Sequence, residues 1–238
     1  MTSFLKLLGD AWLPLFLAAV CSYALGSVSF AIIVTRIFCK TDIRNSGSGN
    51  AGATNVLRSQ GKLPALLTTL GDLGKAFAAV IVARFLLAAL GGDSSLLLVT
   101  TYLSGLFCVL GHLYPLYFGF RGGKGVMATL GVMLVLDWKV ALICLAIFVI
   151  LVAVTRMVSL GSICAAAALP LLTGLFNGLI YDTPAGNTVF CTVMAVIIGG
   201  ILIVKHRDNI RRILEGSESK LGSKKSEQSE LCPESEND

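Results

Sequence analysis

Gly125-Val126-Met127-Ala128-Thr129-Leu130-Gly131-Val132-Met133-Leu134-Val135-Leu136-Asp137-Trp138-Lys139-Val140 is the stretch whose reading decides the fold. Apolar residues continue to Thr155, so residues 125–155 can be drawn as one long membrane helix or as two short ones broken at Asp137. A single helix strands the Asp137 carboxylate and the Lys139 ammonium in hydrocarbon, where charge is costly. It also carries the cationic cluster from Lys205 to Arg212 to the outer face, against the tendency of Lys and Arg to remain on the cytoplasmic side. Two helices, 125–136 and 140–155, remove both objections.

Outward from this stretch, apolar runs predict further helices at 12–35, 63–90, 96–117, 157–178 and 187–204. The fold class is therefore all-α, a polytopic membrane bundle of about seven transmembrane helices. The fourth and fifth helices, of about 12 and about 16 residues, reach only roughly 18 and 24 Å at ~1.5 Å per residue. They must tilt, be partly buried or thin the bilayer. With seven spans, Arg36, Lys40, Arg44, Arg58, Lys62, Arg121, Lys124, Arg156, Lys205, Arg207, Arg211 and Arg212 share one side, against Lys6 and Lys139 opposite. This places the N-terminus outside and the C-terminus in the cytoplasm. The first run could be mistaken for a signal peptide behind Lys6, but it is longer than the usual apolar core of one and three cations follow it, so it reads as a retained span.

Composition agrees. The chain has 238 residues, 55% hydrophobic and 14% charged, with a mean hydropathy of +0.81, outside the range of ordinary globular domains. Helices and closed barrels are the backbones that satisfy every amide in lipid, and no alternating ten-residue strands mark a barrel. The net charge of +5 flanks the spans rather than forming a stripe, so it reflects topology and not nucleic-acid binding. Seven cysteines without a Cys-x-x-Cys pair and two histidines read as packing residues rather than a metal site. Residues 1–216 form a single membrane-embedded domain on this reading. Residues 217–238, rich in Ser, Glu and Lys, are expected to be a disordered cytoplasmic tail.

Glycine, asparagine, serine and basic residues gather in three segments, all expected on the cytoplasmic side. The first runs Gly47-Ser48-Gly49-Asn50-Ala51-Gly52-Ala53-Thr54-Asn55-Val56-Leu57-Arg58. It satisfies Gly-x-Gly-x-x-Gly, but no strand precedes it and Asp72 lies in an apolar helix, so a dinucleotide fold is rejected. Its glycines Gly49 and Gly52 free backbone amides, Ser48, Asn50, Thr54 and Asn55 are neutral donors, and Arg58 is a planar cation suited to phosphate. The competing reading is a solvated loop of turn residues.

The second segment, Gly111 to Gly125, ends in Gly122-Gly123-Lys124-Gly125 just before a helix, where free amides and the positive dipole end form an anion cradle. Gly125 stands where a Walker A loop needs Ser or Thr, so nucleotide hydrolysis is excluded. His112 lies beside this cradle. The third segment, Lys205 to Glu218, is a basic amphipathic helix end in which His206, Arg207 and Asn209 can donate hydrogen bonds as well as charge. Asp72 and Lys75 share a helix face, as a structural ion pair or as the floor of the phosphate site, and Ser159 adds a hydroxyl.

Together these segments resemble the bacterial acyl-phosphate:glycerol-3-phosphate acyltransferase family. The resemblance rests on Gly-Ser-Gly-Asn-x-Gly-Ala-Thr-Asn-Val-Leu-Arg, Gly-His-x-x-Pro-x-x-x-x-Phe-x-Gly-Gly-Lys-Gly and His-Arg-x-Asn-Ile-x-Arg-x-x-x-Gly-x-Glu, in that order, up to about residue 218. It implies a seven-helix fold with an external N-terminus in the bacterial inner membrane. It implies that Ser48, Arg58, His206 and Asn209 serve activity, that the glycines of the second segment bind the phosphate of glycerol 3-phosphate, and that Glu218 serves structural integrity. Arg121 and Ala76 depart from the Lys and Gly that members often carry.

The reaction so implied is acyl transfer from a long-chain acyl phosphate to the sn-1 hydroxyl of glycerol 3-phosphate, giving lysophosphatidic acid and phosphate. No cofactor, metal or obligate protein partner is expected, and the remaining partners are membrane lipids. Arg58, Lys124 and Arg207 offset the charge of two anions, and the acyl chain lies between helices. Neither histidine belongs to a His-x-x-x-x-Asp arrangement, and the base is His112, His206 or the donor phosphate. The rival reading is transport of a phosphorylated metabolite, which tends to place its site at the midplane between paired repeats, and no repeat is evident.

Overall fold

The structure, a computed structural model, describes Gly9 and residues 11–222. Lys6 and residues 223–238, on which parts of the topology and tail readings fall, lie outside the described residues. Ten α-helices and no strand occur among the described residues: α1 Trp12–Gly26, α2 Phe30–Phe38, α3 Ala53–Gln60, α4 Lys62–Ala89, α5 Leu97–Leu113, α6 Val126–Leu136, α7 Trp138–Thr155, α8 Val158–Leu175, α9 Ala185–Lys205 and α10 Arg207–Leu214. Among the described residues six stretches are long and apolar enough to cross a membrane: Trp12–Phe38, Lys62–Ala89, Ser94–Phe118, Trp138–Thr155, Val158–Ile180 and Ala185–Lys205. The 11-residue α6 is apolar but shorter.

The break at Asp137 is real. Its backbone is extended (φ −152°, ψ 92°) and its carboxylate caps α7 by accepting from the amides of Lys139 and Val140. Tyr181 Oη donates to the same carboxylate at 3.0 Å, and the Lys139 ammonium stands 5.0 Å from the Tyr181 ring centroid. Both charges are thus held in an aromatic corner of the kind found at membrane interfaces.

The first span differs from the single helix expected at 12–35. It is interrupted at Ser27, Val28 and Ser29, where Ser27 Oγ turns back to the Tyr23 carbonyl at 2.8 Å. A broken helix in lipid must find other partners for its freed groups, and the Val28 carbonyl accepts from Lys75 Nζ at 2.7 Å. Hydropathy could not show this, since Gly26-Ser27-Val28-Ser29 is no more polar than a continuous span tolerates.

The described residues group into two compact units, one of those up to Phe30 with Thr69–Leu136 and one of Ala31–Thr68 with those from Asp137 onward. In the first, α1 lies on α5. Lipid-embedded helices gain little from burying apolar surface and associate through close packing of small residues. Gly26 meets the Cys108 carbonyl, Gly111 meets the Tyr23 carbonyl, and Gly131 of α6 sits against Leu73 and Ala76 of α4, with no room for a Cβ at any of the three.

In the second unit, α7, α8 and α9 pack in succession. Pro170 inside α8 cannot donate to the Ala166 carbonyl one turn earlier, and Gly199 of α9 packs directly over that carbonyl. Large apolar side chains such as Phe85, Val154, Leu171 and Val193 are exposed, as a lipid-facing surface requires. Cys21, Cys108, Cys144 and Cys164 are free thiols within helices.

Candidate active site

The second unit builds the first and third segments around two side chains. Asp42 caps the short 3-10 turn Ile43–Asn45 and takes Arg44 through both carboxylate oxygens, with Arg36 at 2.7 Å. The Arg44 hydrogen bonds, against the opposing effect of burial, hold the Asp42 carboxyl well below the ordinary range. The loop that follows folds over Asn55. Its Nδ2 donates to the carbonyls of Ile43, Ser46 and Asn50, and its Oδ1 accepts from the Ser48 amide at 3.0 Å.

Asn55 is therefore an internal post of this loop, since both of its amide protons are engaged by backbone. Gly47 is left-handed (φ +57°), and a Cβ there would strike the Asn55 Oδ1. Gly49 has φ +71° and its amide donates to the Ser46 carbonyl at 3.0 Å, while the Gly52 amide donates to Asn50. These two amides hold the loop. What the loop presents outward is Ser48, which is exposed, with Thr54 half-buried in the first turn of α3.

Arg58, at the end of α3, donates from Nη2 to the Ser219 carbonyl at 3.0 Å, and its Nε is buried without a hydrogen-bond partner. Burial, opposed by Glu218 and reinforced by the charge of Arg212, lowers the pKa of its guanidinium from the ordinary value. The Ser219 contact lies in residues expected to be tail. Glu218 is buried, and its Oε1 accepts from Ser159 Oγ at 2.7 Å and Asn209 Nδ2 at 2.8 Å, while Oε2 accepts from Arg212 Nε at 2.7 Å. The Leu221 amide donates to the Arg156 carbonyl.

The expectation of a disordered tail from residue 217 is thus corrected for residues 217–222, because buried polar contacts fix them. Burial pushes the Glu218 carboxyl up, but the hydrogen bonds from Ser159, Asn209 and Arg212 and the Arg212 charge bring it below its ordinary value. Ser159 and Asn209, read from sequence as a substrate donor and a catalytic residue, spend these donors on Glu218 and position it. His206 is buried at the junction of α9 and α10, with Nδ1 2.8 Å from the Leu202 carbonyl. A carbonyl only accepts, so Nδ1 carries a proton, and in the neutral ring the lone pair is on Nε2. Arg207 is solvent-facing, 3.9 Å from Asp208.

The first unit holds the second segment. His112 sits in the last turn of α5, and its carbonyl accepts from the Gly123 amide at 3.2 Å. That amide is therefore engaged inside the protein. Gly122 packs so tightly on the His112 carbonyl that a Cβ would overlap it. Gly125 is left-handed (φ +84°) and directly precedes α6, whose first-turn amides have no partner within the helix. Lys124 is half-buried beside them.

Beneath this turn Asp72, Lys75 and His112 form a buried cluster. Lys75 Nζ is 2.8 Å from Asp72 Oδ1 and 3.0 Å from His112 Nδ1. The Asp72–Lys75 pair was legible at its i,i+3 spacing. The joining of His112 was not, nor were the contacts of Val28 and Ser219, while Arg212 stood in the third motif without an assigned partner. Among the described residues no group of three His, Cys, Asp or Glu side chains is placed to hold a metal ion.

Residues 16–216 match the family described as glycerol-3-phosphate acyltransferase. The chain belongs to that family. It is 43% identical over 218 residues to the glycerol-3-phosphate acyltransferase of Jannaschia sp. (strain CCS1), covering 92% of this chain and 98% of the relative. To that of Clostridioides difficile (strain 630) it is 40% identical, covering 87% and 95%. It is also similar to the crystal structure of PlsY (YgiH), an integral membrane glycerol 3-phosphate acyltransferase, in its glycerol 3-phosphate form. The TM-score is 0.73 at 38% identity, over 87% of this chain and 96% of that one. The lysophosphatidic acid form of PlsY gives 0.71 at 36%, over 89% and 97%. As a member of the glycerol-3-phosphate acyltransferase family, the chain is a membrane acyltransferase, and the three motifs lie within or at the edge of the matched residues.

Proposed function

We propose that this enzyme transfers a fatty acyl group from a long-chain acyl phosphate to the sn-1 hydroxyl of glycerol 3-phosphate, releasing lysophosphatidic acid and inorganic phosphate. The observation that carries this reading is that the similar PlsY is known in forms named for glycerol 3-phosphate and for lysophosphatidic acid, which are an acyl acceptor and its acylated product. An acyl phosphate is an activated mixed anhydride, so the protein's task is to position two anions and stabilise the charge that develops between them.

The hydroxyl oxygen attacks the acyl carbonyl carbon, the bond from that carbon to the phosphate oxygen breaks, and the hydroxyl proton leaves with the phosphate or passes to His206 Nε2. Arg58 serves as an anion ligand because its buried Nε has an unmet donor and a guanidinium matches phosphate geometry. Within the same unit as Arg58, further donors are offered by Ser48, Thr54 and Arg207; in the other unit, taken by itself, Lys124 and the amides opening α6 offer an anion cradle. Asn55, Ser159, Asn209 and Glu218 hold the groups of the Arg58 unit in place. The protein lies in the bacterial inner membrane with its N-terminus outside, its C-terminus inside and its chemistry on the cytoplasmic side.

Detergent-purified protein given palmitoyl phosphate and radiolabelled glycerol 3-phosphate is expected to form labelled lysophosphatidic acid. Absence of product would overturn the reading. Cysteines engineered at positions 49, 123 and 208 are expected to react with an impermeant reagent from the cytoplasmic side only, and labelling of any of them from outside would overturn the assigned orientation.

A further inference from the structure

We infer that Lys75 is a positioning residue that fixes the tautomer of His112, so that the ring offers Nε2–H as a hydrogen-bond donor and takes no proton from the acceptor hydroxyl. The inference deepens the acyl-transfer reading and rests on it for the part played by His112. Its structural half stands on heavy-atom distances alone.

A lysine ammonium has three protons and accepts nothing. Here its hydrogen-bond neighbours are the Val28 carbonyl at 2.7 Å and His112 Nδ1 at 3.0 Å, and Asp72 Oδ1 at 2.8 Å is its ion-pair partner without a hydrogen bond of its own. Both charged side chains are buried, Lys75 at 3% and Asp72 at 2% side-chain exposure, so each requires its partners. The first neighbour exists because the span breaks at residues 27–29 and frees a carbonyl. With Lys75 donating to it, Nδ1 must hold the lone pair, and the proton of a neutral ring then sits on Nε2. Asp72 Oδ1 lies 3.5 Å from Nδ1, too far for a hydrogen bond of ordinary length.

His206 shows the opposite arrangement, with Nδ1 facing the Leu202 carbonyl at 2.8 Å. The chain's two histidines are thus set in opposite tautomers by their neighbours. His112 is suited to donate toward a phosphate or carbonyl oxygen. Its backbone is tied to the glycine loop by the Gly123 amide and the close seat of Gly122, so a ring held by Lys75 stands in fixed register with that loop.

Nitrogen-15 NMR of histidine-labelled protein tests the tautomer without reference to activity, with His206→Asn assigning the two rings. The wild type is expected to show His112 protonated at Nε2 and His206 protonated at Nδ1. In Lys75→Met the His112 proton is expected to move to Nδ1, toward the carboxylate of Asp72. Protonation of His112 at Nδ1 in the wild type would overturn the inference even if the methionine variant failed to fold. His112→Gln places an amide N–H near Nε2 but cannot accept a proton, and is expected to keep at least ~10-fold more kcat than His112→Ala. Equal losses of about 100-fold or more in both variants would mark a general base and overturn the inference. A wild type inactive with acyl phosphate would instead count against the proposed function and leave the NMR result standing.

Discussion

Two buried carboxylates organise the two units, and they do so differently. Asp72 sits inside the apolar helix α4 and neutralises a lysine three residues away, with His112 joining from α5. Glu218 comes from the end of the described chain and gathers Ser159 from α8 with Asn209 and Arg212 from α10. In the first case charge pairing is the condition for having ionisable groups in a membrane helix at all. In the second, a short strap of polar sequence fastens elements that apolar packing alone would leave unaligned, and it sets Arg58 through the Ser219 carbonyl. The lesson is that a motif's polar residues can act by holding one another, so density of donors does not by itself count the ligands.

Removing the strap should have the largest effect. A chain ending at Gly216 is expected to lose at least ~100-fold in acyl transfer, since groups that position charge stabilisation are released, whereas a chain ending at Gly222 should keep wild-type rate and melting temperature. Equal activity of the two truncations would break the distinction between strap and tail. Asp72→Ala leaves Lys75 buried and unpaired and is expected to cost about 3–5 kcal/mol in denaturant unfolding in detergent. An effect below about 1 kcal/mol would show that water reaches the cluster.

Glu218→Gln keeps an oxygen for Ser159 and Asn209 but removes the charge facing Arg212, at an expected cost of about 1.5–3 kcal/mol. The same carboxylate predicts a pH dependence. Its folded-state pKa lies below the ordinary 4.5, so the unfolded chain takes up its proton first and stability falls as pH drops from about 4.5 through the folded value. Glu218→Gln should flatten that slope in acid unfolding curves, and an unchanged slope would place the effect on Asp42, which is lowered in the same direction. The smallest effect expected is that of Thr54→Val, which removes one half-buried hydroxyl and keeps the side chain's shape. A several-fold rise in KM for glycerol 3-phosphate with little change in kcat is predicted, of the order of 1 kcal/mol in ground-state binding.

Much of this was written in the chain. The break at Asp137 follows from a charged pair that hydrocarbon would not accept, and α4 through α9 fall close to the apolar runs. The interruption after Gly26 was hidden because its freed carbonyl is satisfied by Lys75, 47 positions away, a contact no local pattern encodes. Ser217–Gly222 has the composition of a disordered segment, yet one buried glutamate with three side-chain donors outweighs composition. Ser48, Arg58 and the glycine turns were legible as a cluster. That Asn55, Ser159, Asn209 and the Gly123 amide face inward depends on partners distant in sequence or on loop geometry, and neither can be read from residue type.

The most direct test is to follow phosphate and product together. Purified enzyme given acyl phosphate labelled in its phosphorus, with glycerol 3-phosphate, should release one labelled inorganic phosphate for each lysophosphatidic acid formed, with no coenzyme A present. Product that forms only from acyl-coenzyme A, or phosphate release that does not depend on glycerol 3-phosphate, would contradict the account.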